Sequence, residues 1–378
     1  MNIWVIGRGI PTKTNRMLGQ FELGQAQMLS KEHSVSYIAQ GFSCHMNFVT
    51  PKMRFECYDE GDVKGFGRTV PYLPDRLGIH SKLYFKSRWR GFLRKVEKCT
   101  GIPDIIHIHY PTMICDPDAI LFYKSKGVKI VCTEHWGKVL ENKIDLYQRE
   151  QLKKFVEISD TFICVGRPLK ESVMNIAGNK GNVVVVPNIV SDQFKWNGQN
   201  KGDGSFTYVA IGRIVPGKQF DQIVKGFSMA FSPEEDVFLK IIGSGRDYEQ
   251  LADEVSRNPM KDRIALLGTL TREEVALEVE KSNCLICYSQ SETFGVPVIE
   301  GWACGLPVIV SDCIGFKEYW NDDLGIMISS TNLSGLVDAM KRIRNNYSSY
   351  DNERISSFAI DHFGEDTIRR RLTEIYCE

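Results

Sequence analysis

The stretch Ser289–Asp312, SQSETFGVPVIEGWACGLPVIVSD, decides the fold of this chain. It follows an apolar run, Cys284–Tyr288, of the kind that forms a buried parallel strand. Within the stretch, Pro297 favours the first turn of a helix and Gly305 favours the end of one. A second apolar run, Val308–Val310, predicts the next strand. The stretch therefore predicts a strand–loop–helix–strand unit of a doubly wound α/β sheet.

The same stretch combines groups that bind phosphate with groups that bind hydroxyls. The first-turn N–H groups of a helix have no partner within the helix and bind anions, so a loop ending in Phe294, Gly295 and Val296 predicts a phosphate site. Glu292 and Glu300 flank this loop. Carboxylates repel phosphate but accept hydrogen bonds from sugar hydroxyls. Together these groups indicate a nucleotide-sugar site.

Length and composition predict two globular domains. The chain has 378 residues, 43% of them hydrophobic and 25% charged, which is long for one domain and comfortable for two. No apolar run approaches the roughly 20 residues of a membrane span, and a strand, Ile3–Ile6, begins where a signal peptide would stand. The eleven cysteines are scattered and odd in number, which fits a reducing compartment. We therefore expect a cytoplasmic protein.

Charge is distributed unevenly along the chain. Residues 1–195 hold 28 Lys and Arg against 19 Asp and Glu, a net +9, and residues 196–378 hold the reverse, a net −9. The segment 76–98 carries eight basic side chains around a broad apolar face. It is either a domain helix with a solvated basic face or a surface that docks onto anionic lipid headgroups or a phosphate-bearing acceptor. No recognised DNA- or RNA-binding motif accompanies it, so no nucleic-acid partner is predicted.

The first half begins like a dinucleotide-binding domain without completing the pattern. Asn2–Ile6 is typical of a buried strand and leads into a Gly-Arg-Gly sequence. Thr12 stands where the third glycine of the fingerprint belongs, and no acidic residue follows the second predicted strand, so binding of NAD is not favoured. Gly19–Leu29 has apolar positions at helical spacing and predicts the first helix.

Three histidines lie at the ends of two neighbouring predicted strands. His107 and His109 share one face of the strand Pro103–Tyr110, and His135 ends the strand Lys129–His135. This grouping leaves two interpretations open. One is a zinc site, although no ligand pair with fixed spacing supports it, and the other is a buried structural histidine beside one that lines a cleft.

Glycine and basic residues follow the strands of the second half. Gly212 precedes Arg213 and Lys218 after one strand, and Gly243 and Gly245 follow the next. Ligands of open α/β sheets bind at these carboxyl ends. Arginine grips a diphosphate through two parallel N–H bonds and lysine adds a point charge. The pattern therefore predicts stabilisation of a leaving nucleoside diphosphate.

These motifs resemble those of the family-4 retaining glycosyltransferases of GT-B architecture. The E-x7-E motif runs from Glu292 to Glu300, and the resemblance extends over almost the whole chain. Supporting matches are Gly212, Arg213 and Lys218; Gly243 and Gly245; Pro187 and Asn188; Gly315 and Glu318; Gly19, Phe21 and Glu22; and His107 with His109.

The resemblance implies an α/β fold of two Rossmann-like, doubly wound domains that face each other across a cleft. A C-terminal helix would cross back to the first domain. We expect an acceptor domain at 1–195, a linker at 196–205, a nucleotide-sugar domain at 206–352 and the returning helix at 353–378.

The resemblance also implies roles for individual residues. Glu292 would hold hydroxyls of the donor sugar, and Glu300 would hold the ribose hydroxyls. Further donor contacts would come from Arg213, Lys218, Phe294, Gly295, Val296, Gly212, Gly243 and Gly245. His109, or otherwise His107, would lie near the reacting sugar. The acceptor side would be lined by Gly19, His107 and His135. Members of this family retain the anomeric configuration of the sugar, and the resemblance implies neither a metal nor a resident cofactor.

The chain departs from the family pattern at Gln20, Gly166, Ile189 and Ile314, none of which belongs to the Glu–Arg–Lys set. The predicted activity is transfer of a sugar from a UDP- or GDP-linked donor to a glycan or lipid-linked acceptor, in the synthesis of cell-surface polysaccharide or glycolipid. Two alternatives stay open. One is a sugar-nucleotide epimerase of the same architecture, and the other is a non-catalytic carbohydrate-binding subunit.

Overall fold

The computed structural model describes residues 1–10, 18–43, 55–71, 79–198, 204–313 and 315–378. These residues form two compact units. The first comprises Met1–Val186 together with Arg369–Glu378, and the second comprises Pro187–Ile368.

The first unit is built on a sheet of eight strands. The strands are β1 (Asn2–Gly7), β2 (Ser34–Ser43), β3 (Phe55–Glu60), β4 (Val63–Pro71), β5 (Ile105–His109), β6 (Lys129–Glu134), β7 (Thr161–Cys164) and β8 (Val183–Val185). Its helices are α1 (Gln20–Ser30), α2 (Ile79–Thr100), α3 (Pro111–Ile114), α4 (Pro117–Lys124), α5 (Gly137–Leu140), α6 (Leu146–Ile158) and α7 (Arg167–Ala177). The spatial order of the strands is β3-β4-β2-β1-β5-β6-β7-β8, and all neighbours are parallel except β3 and β4.

Strand β1 is the centre of this sheet because its side chains are apolar on both faces. Ile3, Trp4, Val5 and Ile6 are fully buried, as a parallel strand covered on both sides requires. Ile3 pairs with β2 on one side and with β5 on the other. The strand order reverses between β1 and β5, so the crevice beyond their carboxyl ends is the expected ligand position.

The second unit is built on six parallel strands. They are β9 (Phe206–Ile211), β10 (Val237–Ile242), β11 (Ile264–Gly268), β12 (Cys284–Cys287), β13 (Val308–Ser311) and β14 (Gly325–Ile328). Its helices are α8 (Phe220–Ala230), α9 (Tyr248–Ser256), α10 (Arg272–Glu280), α11 (Val296–Ala303), α12 (Leu333–Asn345), α13 (Asn352–Phe363) and the start of α14 (Glu365–Cys377). The order β11-β10-β9-β12-β13-β14 is that of a Rossmann fold, with its switch point between β9 and β12.

The predicted local structure of the opening stretch is confirmed. β12 and β13 form at the two apolar runs, and α11 lies between them with Pro297 in its first turn. Gly305 follows the helix with φ +75°, a left-handed conformation that glycine adopts without a steric penalty. The prediction of an α/β fold with two doubly wound sheets is likewise confirmed.

The first boundary between the units lies upstream of the predicted linker at 196–205. It falls at Val186 because the residues that follow already pack within the second unit. The Val190 N–H donates to the Phe363 carbonyl at 2.9 Å, and the Gln193 amide donates to Glu273 at 2.9 Å.

The return to the first unit also differs from the predicted start at 353. The chain passes from one unit to the other at Arg369, within α14. Helix α13 belongs to the second unit because Asn352 and Ser356 donate to carbonyls that follow or end α11, at 2.6 Å and 2.7 Å respectively.

Helix α2 includes most of the predicted basic segment 76–98. Its buried side chains include Trp89, Phe92, Leu93 and Val96, which confirms part of the predicted apolar face. Residues 76–78 lie outside the described part of the chain. Within that described part, no helix is both long and apolar enough to cross a membrane.

Candidate functional site

Two loops meet at the switch point of the second unit. One follows β9 and carries Lys218, and the other follows β12 and carries Glu292. The Gln290 N–H donates to the Gly217 carbonyl at 2.8 Å. The buried Gln219 amide donates to the Tyr288 carbonyl at 3.1 Å. These bonds hold the two loops together.

Lys218 and Glu292 form an ion pair at this junction. Glu292 Oε1 also accepts a hydrogen bond from Ser289 Oγ at 3.1 Å. The Lys218 and Glu292 side chains are 26% and 13% exposed, so both charges lie in a partly buried site. Burial alone would lower the pKa of Lys218, but the Glu292 carboxylate and the neighbouring Cys287 together outweigh it and the pKa is raised. The ammonium group therefore stays charged at neutral pH.

Arg213 lies on the same loop as Lys218. Its side chain is exposed, and its charge acts against the protonation of Lys218, which shows that the two cations share one locality. Two cations beside a single carboxylate leave a net positive site, which can accept a phosphate group.

Gly243 and Gly245 are required by the packing of the backbone. A Cβ atom on Gly243 would overlap the Gly212 carbonyl oxygen, and one on Gly245 would overlap the Ile214 carbonyl oxygen. The Ile214 N–H donates to the Ser244 carbonyl at 2.9 Å. These glycines therefore set the path of the loop that carries Arg213, and whether they also touch the donor stays a prediction.

The loop before α11 buries its aromatic side chain. The Phe294 ring is 1% exposed and packs edge-on against Phe316, with ring centres 5.2 Å apart. Gly295 has φ +105° and begins the helix. Pro297 has no N–H and the Val298 N–H donates to the Gly295 carbonyl at 2.9 Å, so this first turn has fewer free donors than a typical one. Any contact of this loop with a phosphate would come from backbone groups.

Glu300 lies on α11 and is paired with a residue that sequence reasoning missed. Its Oε1 lies 2.7 Å from Nη2 of Arg272, the first residue of α10. Burial raises the pKa of the Glu300 carboxyl, and Arg272 opposes that rise. The local sequence pattern marks Arg272 only as a residue at the start of a helix that follows a strand. That pattern does not reveal that its partner, Glu300, lies 28 positions further along the chain.

The three predicted histidines come together in the first unit, and their environments differ. His107 uses both ring nitrogens, with Tyr376 Oη at 2.6 Å and Thr133 Oγ1 at 2.7 Å. His109 Nδ1 lies 3.0 Å from His135 Nε2, whereas His109 Nε2 is buried without a hydrogen-bond partner among the described residues.

His107 and His109 are buried, hydrogen-bonding groups whose neutral form is favoured. Burial lowers the pKa of His107 and of His109 well below the ordinary value, and neighbouring His109, His135 and Arg8 add to the effect. Among the described residues, no group of three His, Cys, Asp or Glu side chains is arranged to hold a metal ion.

Arg8 and Glu22 form a second ion pair near these histidines. Arg8 Nε lies 2.6 Å from Glu22 Oε1, and the Glu22 side chain is fully buried. The Arg8 guanidinium also lies 4.0 Å from the centre of the Tyr110 ring, and that ring stacks on His135 at 4.7 Å. Tyr110 has φ +50°, a conformation that non-glycine residues adopt rarely and mainly at functional sites.

Gly19 brings α1 against the end of β1. A Cβ atom at this position would overlap the Gly9 carbonyl oxygen, and φ is +73°. The Tyr37 hydroxyl donates to the carbonyls of Gly9 and Gly19, at 2.8 Å and 3.2 Å. Glycine is therefore needed here for close backbone approach, and an acceptor contact by Gly19 stays a prediction.

The two sheets, each with charged groups beyond its switch point, define a class of protein with two Rossmann-like domains. A model described as "Glycosyl transferases group 1" matches residues 192–359, and one described as "Glycosyltransferase Family 4" matches residues 26–194. The chain belongs to the group 1, family 4 glycosyltransferases, which use nucleotide sugars.

Curated proteins of similar sequence are also glycosyltransferases or synthases of glycosyl compounds. The uncharacterized glycosyltransferase MJ1178 of Methanocaldococcus jannaschii is 27% identical over 296 residues, 78% of this chain and 79% of that protein. The N-acetyl-alpha-D-glucosaminyl L-malate synthase of Bacillus anthracis is 23% identical over 94% of this chain and 91% of its own length. The phosphatidylinositol N-acetylglucosaminyltransferase GPI3 subunit of Saccharomyces cerevisiae is 24% identical over 64% of this chain, which spans 55% of that protein.

Solved structures confirm the GT-B fold. A sucrose-phosphate synthase from Thermosynechococcus elongatus superposes with a TM-score of 0.78 at 16% identity, covering 100% of this chain and 98% of that one. The HepE protein of Anabaena, crystallised with UDP, gives a TM-score of 0.70 at 13% identity and covers 100% and 99%.

Proposed function

We propose that this protein is a retaining, metal-independent glycosyltransferase that moves a sugar from a UDP- or GDP-linked donor to a glycan or lipid-linked acceptor. The observation that carries the proposal is the Lys218–Glu292 pair at the switch point of the second unit. In this proposal Lys218 is the cation for the leaving phosphate, and Glu292 beside it is the carboxylate for sugar hydroxyls. Those are the groups needed on the two sides of the bond between a sugar and its diphosphate.

In the proposed reaction, the bond between the anomeric carbon and the β-phosphate oxygen breaks, and its electron pair stays on the diphosphate. Arg213 and Lys218 stabilise that negative charge. The acceptor hydroxyl oxygen bonds to the anomeric carbon from the same face, and its proton passes to the leaving phosphate. No protein nucleophile is required, and Glu292 binds sugar hydroxyls.

The remaining predicted residues complete this proposal. Glu300 holds the ribose hydroxyls of the donor. His109 is assigned to the transferred sugar in this proposal; its buried Nε2 has no hydrogen-bond partner among the described residues, and a neutral imidazole can donate or accept one hydrogen bond there. His107 is a supporting residue in this account, since its two nitrogens are already bonded within the first unit.

The relatives guide the choice of substrates. Two of them are named for N-acetylglucosaminyl products or transfer, one onto L-malate and one onto phosphatidylinositol, and the HepE structure contains UDP. UDP-N-acetylglucosamine is therefore the first donor to test, with polyol, glycan and lipid-linked hydroxyl acceptors. We place the reaction in the cytoplasm, in the synthesis of cell-surface polysaccharide or glycolipid.

Release of nucleoside diphosphate from UDP- and GDP-sugars, measured with and without acceptors, tests the proposal. We expect release that depends on an acceptor. Conversion of the donor alone into an isomer would instead support a sugar-nucleotide epimerase. Donor or glycan binding without turnover on any acceptor would support a non-catalytic carbohydrate-binding subunit.

We also propose that the first unit contacts anionic membranes. Around the half-buried Phe122 ring lie the guanidinium groups of Arg90 and Arg94 and the ammonium group of Lys126, at 4.6, 5.4 and 4.5 Å. The neighbouring Leu121 is 43% exposed. Cations around a half-buried ring and an exposed leucine match anionic lipid headgroups.

Flotation with vesicles tests this contact. Recovery should be higher with anionic than with neutral vesicles and should fall in the variant Arg90→Glu with Arg94→Glu. Equal recovery with both vesicle types would contradict an electrostatic membrane contact.

A further inference from the structure

A buried ion pair joins α10 to α11 in the second unit. The Glu300 side chain is 3% exposed, and the Arg272 side chain is 22% exposed. Arg272 follows the helix-capping residue Thr271, and its guanidinium lies 4.8 Å from the centre of the buried Phe194 ring. The ring and the carboxylate together restrict Arg272 to one orientation.

The ion pair stabilises the negative charge of Glu300, whose burial would otherwise cost free energy. A buried carboxylate without a partner takes up a proton or loses stability. The acidic neighbours on α10 are directed elsewhere, since Glu273 accepts from Gln193 at 2.9 Å and Glu274 accepts from the Thr271 N–H at 2.7 Å. Among the described residues, Arg272 is the charged side chain in contact with Glu300.

We propose that Arg272 is a positioning residue for the nucleotide, because its ion pair keeps Glu300 ionised and presents the other carboxylate oxygen to the ribose. The inference rests on the proposed function, which assigns Glu300 to the ribose hydroxyls. Arg272 Nη2 lies 2.7 Å from Oε1, an atom with no other partner among the described residues, and in this proposal Oε2 accepts from a ribose hydroxyl. A hydrogen bond to an ionised acceptor is about twice as strong as one between neutral groups.

Loss of Arg272 should weaken binding of the nucleoside part of the nucleotide and leave binding of the diphosphate part unchanged. Without Arg272, the pKa of the Glu300 carboxyl rises further, because burial raises it and Arg272 opposes that rise, and the carboxyl loses its fixed orientation. A nucleoside diphosphate then loses its ribose contact. Inorganic pyrophosphate has no ribose, so its binding at Arg213 and Lys218 is unaffected.

Calorimetric titrations of UDP, GDP and inorganic pyrophosphate test this inference, with Arg272→Met against the wild type. Arg257→Met is a matched control, because Arg257 forms an exposed ion pair with Asp253 at 3.8 Å in the same unit. We expect Arg272→Met to weaken the tighter nucleotide about tenfold, with a larger loss near pH 6 than near pH 8. Pyrophosphate should bind equally to both proteins, and Arg257→Met should match the wild type.

Two results would overturn the inference. One is a nucleotide affinity in Arg272→Met equal to that of the wild type. The other is an equal loss of affinity for nucleotide and for pyrophosphate. An ion pair with a merely structural role predicts one or the other of these results. Arg272→Lys keeps the charge without the planar fork and replaces Arg272→Met if that variant does not fold. Nucleotide binding several-fold weaker with unchanged pyrophosphate then supports the inference, and unchanged nucleotide binding overturns it. A wild-type protein that binds neither nucleotide refutes the proposed function itself, before Arg272 is considered.

Discussion

The substitution Glu292→Gln should tighten binding of nucleoside diphosphates and lower kcat/KM for nucleotide sugars. In the structure Glu292 neutralises Lys218, the cation that we assign to the leaving phosphate. Glutamine has the same shape and no charge, so it releases Lys218 for the phosphate. It also removes the ionised acceptor that we assign to the sugar hydroxyls.

The magnitudes follow from the partial burial of the pair. Two like charges about 6 Å apart at an effective dielectric constant of about 40 repel by about 1.4 kcal/mol. Removing the carboxylate should therefore tighten binding of UDP or GDP about tenfold. Loss of a hydrogen bond to a charged group costs about 1.5–3 kcal/mol, so kcat/KM for the nucleotide sugar should fall about 10- to 100-fold.

Calorimetry with the nucleoside diphosphate and steady-state kinetics with the sugar donor measure the two effects on one preparation. Glu249→Gln is a control of matched charge change, because Glu249 is an exposed residue in the first turn of α9. If Glu292→Gln weakened both ligands equally, the role of Glu292 would be to support the loop, and its assignment to the sugar would be wrong.

Three further predictions follow from the same geometry. Gly243→Ala should lower the free energy of unfolding by about 2 kcal/mol or more, because its Cβ overlaps the Gly212 carbonyl; denaturant unfolding measures this, and an unchanged midpoint would contradict it. His107→Phe should cost about 2–3 kcal/mol of stability by leaving Thr133 and Tyr376 unpaired, whereas His109→Asn should lower kcat at least about tenfold at nearly unchanged stability. Thermal unfolding and kinetics of both variants test this. A loss of kcat in His107→Phe and a loss of stability in His109→Asn would mean that His107 acts on the sugar and His109 is structural. The pKa of Lys218 is raised above 10.5, so its stabilising contribution is present below that value and lost only as pH rises through the raised pKa. The difference in unfolding free energy between wild type and Lys218→Met should therefore be constant from about pH 6 to 9. A decline of this difference within that range in urea titrations would refute the prediction.

Local patterns predicted most of the strands near the candidate site and could not predict side-chain partners. The apolar runs around Ser289–Asp312 and the glycines after β9 and β10 indicated the strand ends, because strand periodicity and glycine conformations are local properties. The pairing of Glu300 with Arg272 depends on how α10 and α11 pack. Such packing brings together residues far apart in sequence, which a single sequence does not reveal.

Side-chain direction was a second limit of the sequence. Phe294 stands in the predicted phosphate loop, yet its ring lies in an aromatic cluster with Phe316. Gly243 and Gly245 were predicted as donor contacts, and the structure shows a steric need for glycine at both positions. Likewise, the strand pattern placed His107 and His109 on one face, but the distant Tyr376 is what distinguishes their environments.

The most direct test of the central claim is the anomeric configuration of the product. The protein is incubated with an α-linked UDP- or GDP-sugar and a hydroxyl acceptor, and the anomeric proton is followed by NMR from the start of the reaction. We expect an α-linked product that forms at the same rate as nucleoside diphosphate and only when acceptor is present. A β-linked first product, or an isomerised donor formed without acceptor, would contradict it.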